Sequence, residues 1–374
     1  LVPGVPLRFA TTLALAGYGR GAIVTSHEGR PTKIEGNPRH PGSLGSTDVF
    51  AEADIFGLYS PDRSQAVRRG HDLREWDAFA TAYQKRLALH RADRGAGLRL
   101  LTGRVTSPTL ARQLEALQRA FPSMVWHAYE PCGEPIANEG TRIAFGRLLD
   151  VLPRVRDAAV AVSLDSRFLD AGPAQIPFAR AFSDRRRVRR GGADMLRLYA
   201  VQPIPTLTGT SADHTLTLAP QDIERIAVAI ANALGASLPD PGLSGETARF
   251  ARAAAADLQS RNGQGLVLGG SILSPEIQAL VCWMNAKLNG PVAYVDPIAA
   301  SDGRPGLEEL AESLAEGRVK TLVTLECNPA YDAPADLDFE RALRRAEFSV
   351  HFGQYVDETA RASTWHLPAS HALE

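Results

Sequence analysis

Lys33-Ile34-Glu35-Gly36-Asn37-Pro38-Arg39-His40-Pro41, followed at some distance by Gly57-Leu58-Tyr59-Ser60-Pro61-Asp62-Arg63, is the stretch on which the reading of this chain turns. Thr32 to Glu35 reads as a strand end, Gly36-Asn37-Pro38 as a turn and His40-Pro41-Gly42 as a second turn. Gly, Asn and Pro each supply a backbone geometry that other residues avoid. Short β runs such as Ala22 to Ser26 precede it, and a helix from Val49 to Leu58 is expected after it. A loop-rich unit of this size buries too little to stand alone and is expected to fold by packing on its neighbours.

Further out, 374 residues allow two or three domains. With 44% apolar and 22% charged residues and a formal net charge of -1, the balance points neither to nucleic acid nor to an anionic membrane. The one basic run, Arg185-Arg186-Arg187-Val188-Arg189-Arg190, reads as a solvated loop or subunit contact, with a phosphate or acidic-partner site as the other reading. Three cysteines, Cys132, Cys282 and Cys327, without a C-x-x-C, support neither a disulfide framework nor a zinc site. Cys282 lies in the apolar run Ile277 to Met284 and is expected in the core. No apolar run reaches the 18 or so residues of a membrane helix. There is no signal peptide, and the chain opens at Leu1 without Met, which is compatible with an upstream segment removed or left out.

From Asp72 onward strands and helices alternate. Trp76, Phe79, Ala80 and Tyr83 recur at helical spacing. The apolar Leu98-Arg99-Leu100-Leu101-Thr102 leads through Gly103-Arg104 to Ser107-Pro108-Thr109, a β-loop-α unit whose free amides could face an anion. Strands are expected at Met124 to Tyr129, Ala158 to Leu164, Met195 to Val201, Gly265 to Leu268, Thr321 to Leu325 and Phe348 to His351. Helices are expected at Gln221 to Leu234, Thr247 to Gln259, Pro275 to Leu288 and Leu307 to Glu316. That alternation means parallel sheets with crossover helices. The histidines His27, His40, His351, His366 and His371 are linked to no nucleophile by their spacing.

The EGNP-x-HP turn, the Gly29-Arg30…Lys33 hairpin before it and the LY-x-PDR segment after it resemble the N-terminal segment of the large molybdopterin oxidoreductases, the formate dehydrogenase and DMSO reductase type. In that family the segment holds an iron–sulfur cluster on four cysteines, three at C-x2-C-x3-C and a fourth after the HP turn. The family pattern places them on Leu13, Ala16, Arg20 and Asp48. None is a thiol, and a [4Fe–4S] cluster needs four such ligands, so no cluster and no metal are expected here. The large subunit of bacterial alternative complex III, a quinol-oxidising respiratory complex, shares this loss; there a cofactor-free molybdopterin-type domain is fused to a ferredoxin-like domain.

The resemblance implies where a pterin would sit if one were bound: Gly103 and Ser107 in a TGR-x-TSPT-like loop, Cys132 as either a molybdenum ligand or a leftover structural thiol, and Asn328 in Cys327-Asn328-Pro329, which keeps two residues of a Gly-x-Asn-Pro turn. Asp165-Ser166-Arg167 stands where another such turn is usual, and Gln202-Pro203-Ile204 where Asp-Pro-Arg is usual. The Ser211 to Asp222 stretch keeps the family's scaffold pattern. The implied architecture is α/β and multi-lobed, with doubly wound parallel sheets and no C-terminal β-barrel. Its parts are a vestigial iron–sulfur-type unit at 1–70, a discontinuous α/β domain at 71–134 and 241–374, and an inserted Rossmann-like domain at 135–240. The strand near Leu100 is expected beside the strand near Val267. The implied function is a scaffold without cofactor or catalytic residues in a quinol-oxidising electron-transfer complex. Its partners are other subunits and a ferredoxin-like iron–sulfur domain, with no nucleic acid and no membrane span, peripheral on the periplasmic face of the bacterial inner membrane. The other reading is a catalytic molybdopterin guanine dinucleotide oxidoreductase related to polysulfide and thiosulfate reductases.

Overall fold

Glu28 and Gly29, at φ 52° and 86°, form the two-residue turn with both central residues left-handed whose twist matches a β-hairpin. It joins strands Tyr18–His27 and Arg30–Gly36, and Leu7–Leu15 pairs antiparallel with the first of them. The computed structural model describes residues 3–15, 18–131, 135–170, 172, 174–187, 195–299 and 304–374. Side chains alternate across a sheet, so Leu13, Ala22, Val24 and Ile34 share one face and are buried with Ala51 of helix Val49–Tyr59. Asp48 caps that helix, accepting a hydrogen bond from the Ala51 N–H at 2.9 Å. The nine-residue strand Leu7–Leu15 is absent from the sequence reading, which places a cluster-ligand position on Leu13.

The chain divides into two compact units, and this hairpin sheet belongs to the first: Leu1–His40, Gly45–Gly133 and Ser301–Glu374. Its main sheet has seven strands in the order Asp72–Arg74, Val67–Arg69, Trp365–Pro368, Ser349–Gly353, Thr321–Leu325, Leu98–Thr102, Val125–Ala128. The last five are mutually parallel, and an antiparallel hairpin closes the other edge. Every residue of Leu98–Thr102 is buried, as expected of a strand covered on both faces. Leu101 and Leu322 pack with Leu310 and Leu314 of helix Leu307–Ala315. Phe79 of helix Trp76–Ala92 packs with Trp365 and Phe348.

The second unit comprises Pro41–Leu44 and Glu134–Ala300. Its parallel sheet runs His214–Thr217, Arg197–Gln202, Val160–Leu164, Gly265–Gly269. One core joins Ile223, Ile226 and Ile230 of helix Pro220–Ala233, Ala254 and Leu258 of helix Gly245–Ser260 and Met284 of helix Pro275–Lys287 to this sheet; a second core gathers Phe168, Phe182, Leu198 and Leu266. Cys282 is buried in helix Pro275–Lys287, the core thiol read from the sequence.

This arrangement corrects the expected pairing of the strands near Leu100 and Val267. They lie in separate sheets: Val267 is registered with Val162, and Leu100 with Val323 and Trp126. A strand has two edges, and both edges of Leu98–Thr102 are taken, by Thr321–Leu325 and Val125–Ala128. Residues 241–300 therefore continue the inserted unit and do not join 71–134 and 301–374. No closed barrel forms among the described residues.

Candidate functional site

Three of the four positions that the resemblance assigns to cluster ligands meet at one end of the hairpin; Ala16 lies outside the described residues. Leu13 and Arg20 are direct cross-strand partners. Leu13 is 3% exposed and packs in the small apolar core. Arg20 forms an ion pair with Asp48, the side chains being 6% and 11% exposed. Burial pulls the Arg20 guanidinium below its ordinary value, with Asp54 opposing. An isobutyl group, a guanidinium and a carboxylate that is already paired do not fit a cluster that needs thiolates.

The loops at the carboxyl ends of the parallel strands are where such folds bind ligands. In the first unit, Ser107 caps helix Pro108–Ala120 by accepting from the Leu110 N–H at 3.3 Å. The Arg104 N–H donates to the Glu130 carboxylate, and a Cβ on Gly103 would lie 2.7 Å from Glu130 Oε1. The loop is thus closed around an anion from its own chain. Cys132 lies outside the described residues.

Asn328, after Thr321–Leu325, is committed to internal bonds. Its Oδ1 accepts from the Thr359 N–H at 3.0 Å and the Thr359 hydroxyl at 2.8 Å, and its Nδ2 donates to Glu358 at 2.8 Å. Cys327 beside it is pushed up by burial, reinforced by the charges of Asp332, Glu130, Asp357 and Glu326, so the thiol stays protonated and is a poor nucleophile or metal ligand. Burial, with Glu130 and Asp357, also raises the Asp332 carboxyl.

Below that edge lies a polar cluster that spacing did not reveal. His351 and His366 are register partners on adjacent parallel strands, 0% and 2% exposed, with Nδ1 atoms 3.0 Å apart. One ring donates and the other accepts. His351 Nε2 lies 3.4 Å from Asp357. Burial pushes the Asp357 carboxyl up, but His351, the Ala360 N–H and His366 together outweigh it and hold the group below its usual value. Burial, with His351 and Arg68 adding, pulls His366 down to about 4. The sequence signal was only that His351 lay near a strand end.

In the second unit, Asp165 and Arg167 are left-handed at φ 52° and 47°, and Arg167 Nε donates to Asp165 at 3.1 Å. Burial raises the Asp165 carboxyl, Arg167 opposing. Gln202 is buried and accepts from the Thr206 hydroxyl at 2.7 Å. Asp170, which sequence reasoning missed, accepts from the Leu207 N–H at 2.5 Å, the Thr208 N–H at 2.9 Å and the Thr208 hydroxyl at 2.5 Å. Free amides at this edge are again satisfied by a carboxylate of the chain. Of the basic run, Arg185 donates to the Ala158 carbonyl, and Arg186 holds Asp213 with bonds of 2.6 and 2.9 Å; residues 188–190 lie outside the described residues. Among the described residues, no three His, Cys, Asp or Glu side chains gather as a metal would require. Also among them, no helix is long and apolar enough to cross a membrane.

No family model matches the sequence. The chain is 23% identical over 410 residues to the menaquinone reductase, molybdopterin-binding-like subunit, of Nitratidesulfovibrio vulgaris, an alignment covering 97% of this chain and 58% of that protein. Its structure matches acetylene hydratase from Pelobacter acetylenicus with a TM-score of 0.71 at 14% identity, over 97% of this chain and 63% of that one. The chain therefore spans less than two thirds of either. The structural match shows the fold alone, the α/β architecture with parallel sheets that the sequence resemblance implies.

Proposed function

We propose that this chain is a molybdopterin-oxidoreductase-like scaffold that works without pterin or iron–sulfur cofactor in a respiratory, quinone-linked electron-transfer complex of the alternative complex III kind. In this reading it holds neighbouring subunits and a ferredoxin-like redox domain in place, peripheral on the periplasmic face of the membrane, while electrons pass elsewhere. The observation that carries it is the self-occupation of the binding loops. Glu130 sits on the Arg104 amide, Asn328 is locked to Thr359, and Asp170 takes the Leu207 and Thr208 amides.

Charge supports the same reading. The charges of Glu130, Glu326, Asp332 and Asp357 all act on Cys327, and a pyrophosphate brought within reach of carboxylates in a partly desolvated site meets like-charge repulsion of several kcal/mol. The resemblance to a subunit named molybdopterin-binding-like, from a menaquinone reductase, supports the quinone link and membership of an assembly. Helix Val49–Tyr59 supports the assembly alone: it leaves Val49, Phe50 and Phe56 exposed at 72%, 57% and 75%, as is common where a protein contacts a partner.

The test is metal analysis of the purified protein, made with and without oxygen, together with calorimetry against GMP and GDP. The expected results are a colourless protein, neither iron nor molybdenum in stoichiometric amount, and no nucleotide binding at micromolar concentration. Stoichiometric metal or micromolar nucleotide affinity would replace the scaffold by the catalytic molybdopterin enzyme.

A further inference from the structure

We infer that the Arg20–Asp48 pair replaces the iron–sulfur cluster mechanically, as an electrostatic staple that ties the hairpin to helix Val49–Tyr59 without metal. This rests on the cofactor-free reading of the N-terminal segment and adds what took over the cluster's structural work. A cluster on the four family positions would tie positions 13 and 20, cross-strand partners in the sheet, to the residue that caps the helix, position 48. The structure keeps that connectivity. Leu13 lies opposite Arg20 across the hairpin, and Arg20 reaches Asp48.

Asp48 is held from both sides, one oxygen on Arg20 and the other on the Ala51 N–H, so hairpin, ion pair and helix cap form one continuous link. Leu13 fills the apolar side of the same place, packed with Ala22, Val24, Ile34 and Ala51. The connecting loop is folded tightly on the hairpin. The Gly21 N–H donates to His40 Nδ1 at 3.1 Å, and the Asn37 N–H to the Gly21 carbonyl at 3.0 Å. A Cβ on Gly36 would lie 2.2 Å from the Ser46 carbonyl oxygen. Loop closure alone thus brings positions 20 and 48 together, and the ion pair fastens them. A buried pair adds little beyond what an apolar replacement of both partners would give, but losing one partner strands a charge. That asymmetry separates a staple from an incidental contact.

The experiment is amide hydrogen exchange on the whole chain, following Tyr18–His27 and Val49–Tyr59 with Leu98–Thr102 as internal reference. Arg20→Met and Asp48→Asn, the latter chosen because Asn still caps a helix, should each speed exchange in both segments by roughly a hundredfold, leaving the reference unchanged. Arg20→Met combined with Asp48→Leu should recover part of the protection, and Arg20→Lys most of it. A chelator and dithionite should change nothing in the parent protein. Parent-like exchange in both single variants overturns the staple alone. Iron in the purified protein, or loss of protection with chelator, overturns the cofactor-free reading beneath it.

Discussion

Replacing Asn328 by Ala tests whether the residue that the resemblance matches to a Gly-x-Asn-Pro turn serves the fold or a ligand. Its Oδ1 is the acceptor for two donors of Thr359, a residue with 0% exposure. Truncation leaves the Thr359 N–H and hydroxyl without that acceptor. A buried donor left unmade costs about 1–3 kcal/mol, so the pair sets an expected loss of about 2–4 kcal/mol once partial relaxation is allowed. The Nδ2 bond to the half-buried Glu358 carboxylate is left outside this figure. Asn328→Asp keeps the acceptor but sets a second negative charge beside Glu358, and should cost less than the Ala variant. Urea unfolding gives the free energies, and hydrogen exchange of Glu358–Ala362 locates them. An Asn328→Ala protein within about 0.5 kcal/mol of the parent, the range of an ordinary surface change, would show that these bonds do not hold the turn.

Acid should destabilise the protein through His127 and His366, both buried and both pulled by burial from 6.5 to about 4. With folded values below unfolded ones, their stabilisation is complete above about pH 6.5 and is lost as the pH falls towards 4, at up to about 2.7 kcal/mol per pH unit for two protons; urea midpoints that do not change from pH 7.5 to 4.5 would contradict this. Gly270→Ala would place a Cβ 2.0 Å from the Asp165 carbonyl oxygen, a backbone atom that cannot swing aside. A cost of about 1–3 kcal/mol is expected, read as a lowered Tm with faster exchange in Gly265–Gly269, and a parent-like Tm would refute it.

The pattern of strands and helices was legible because apolar periodicity and Gly, Pro and Ser punctuation mark each β-loop-α step, as at Leu98 to Pro108. Strand order was not, because apolar side chains say that Gly265–Gly269 is buried but not which edge it fills. Only the finished sheet shows Val162 on one side of Val267 and Leu100 elsewhere. That Leu13, Arg20 and Asp48 are not thiols was plain in the sequence, whereas the ion pair that joins the last two depends on a hairpin register and a folded loop. His351 and His366 are fifteen residues apart, and their contact exists only because two parallel strands are in one register. Glu130 and Asp170 gave no signal either: a carboxylate in a loop is common, and its bond to a distant amide is a property of the fold.

These internal carboxylates and amides bear on what the carboxyl edges of the sheets are now for. Helix N-termini and the turns that lead into them present N–H groups that need acceptors, and a partly buried donor left unpaired is costly. In an enzyme that binds a dinucleotide at such an edge, phosphates can supply the acceptors, and emptying the site exposes the donors. Here Glu130 answers the Arg104 amide, Asp170 the Leu207 and Thr208 amides, Asn328 the Thr359 amide, and Asp48 the Ala51 amide. A phosphate entering any of these places would have to displace a tethered anion or amide, whose effective concentration is high, and leave that group to find water. Ligand binding would then be an exchange of one acceptor for another with added charge repulsion. In the scaffold we propose, edges of this kind hold the chain's own loops still; nucleotide binding seen by calorimetry would show the exchange to be favourable instead.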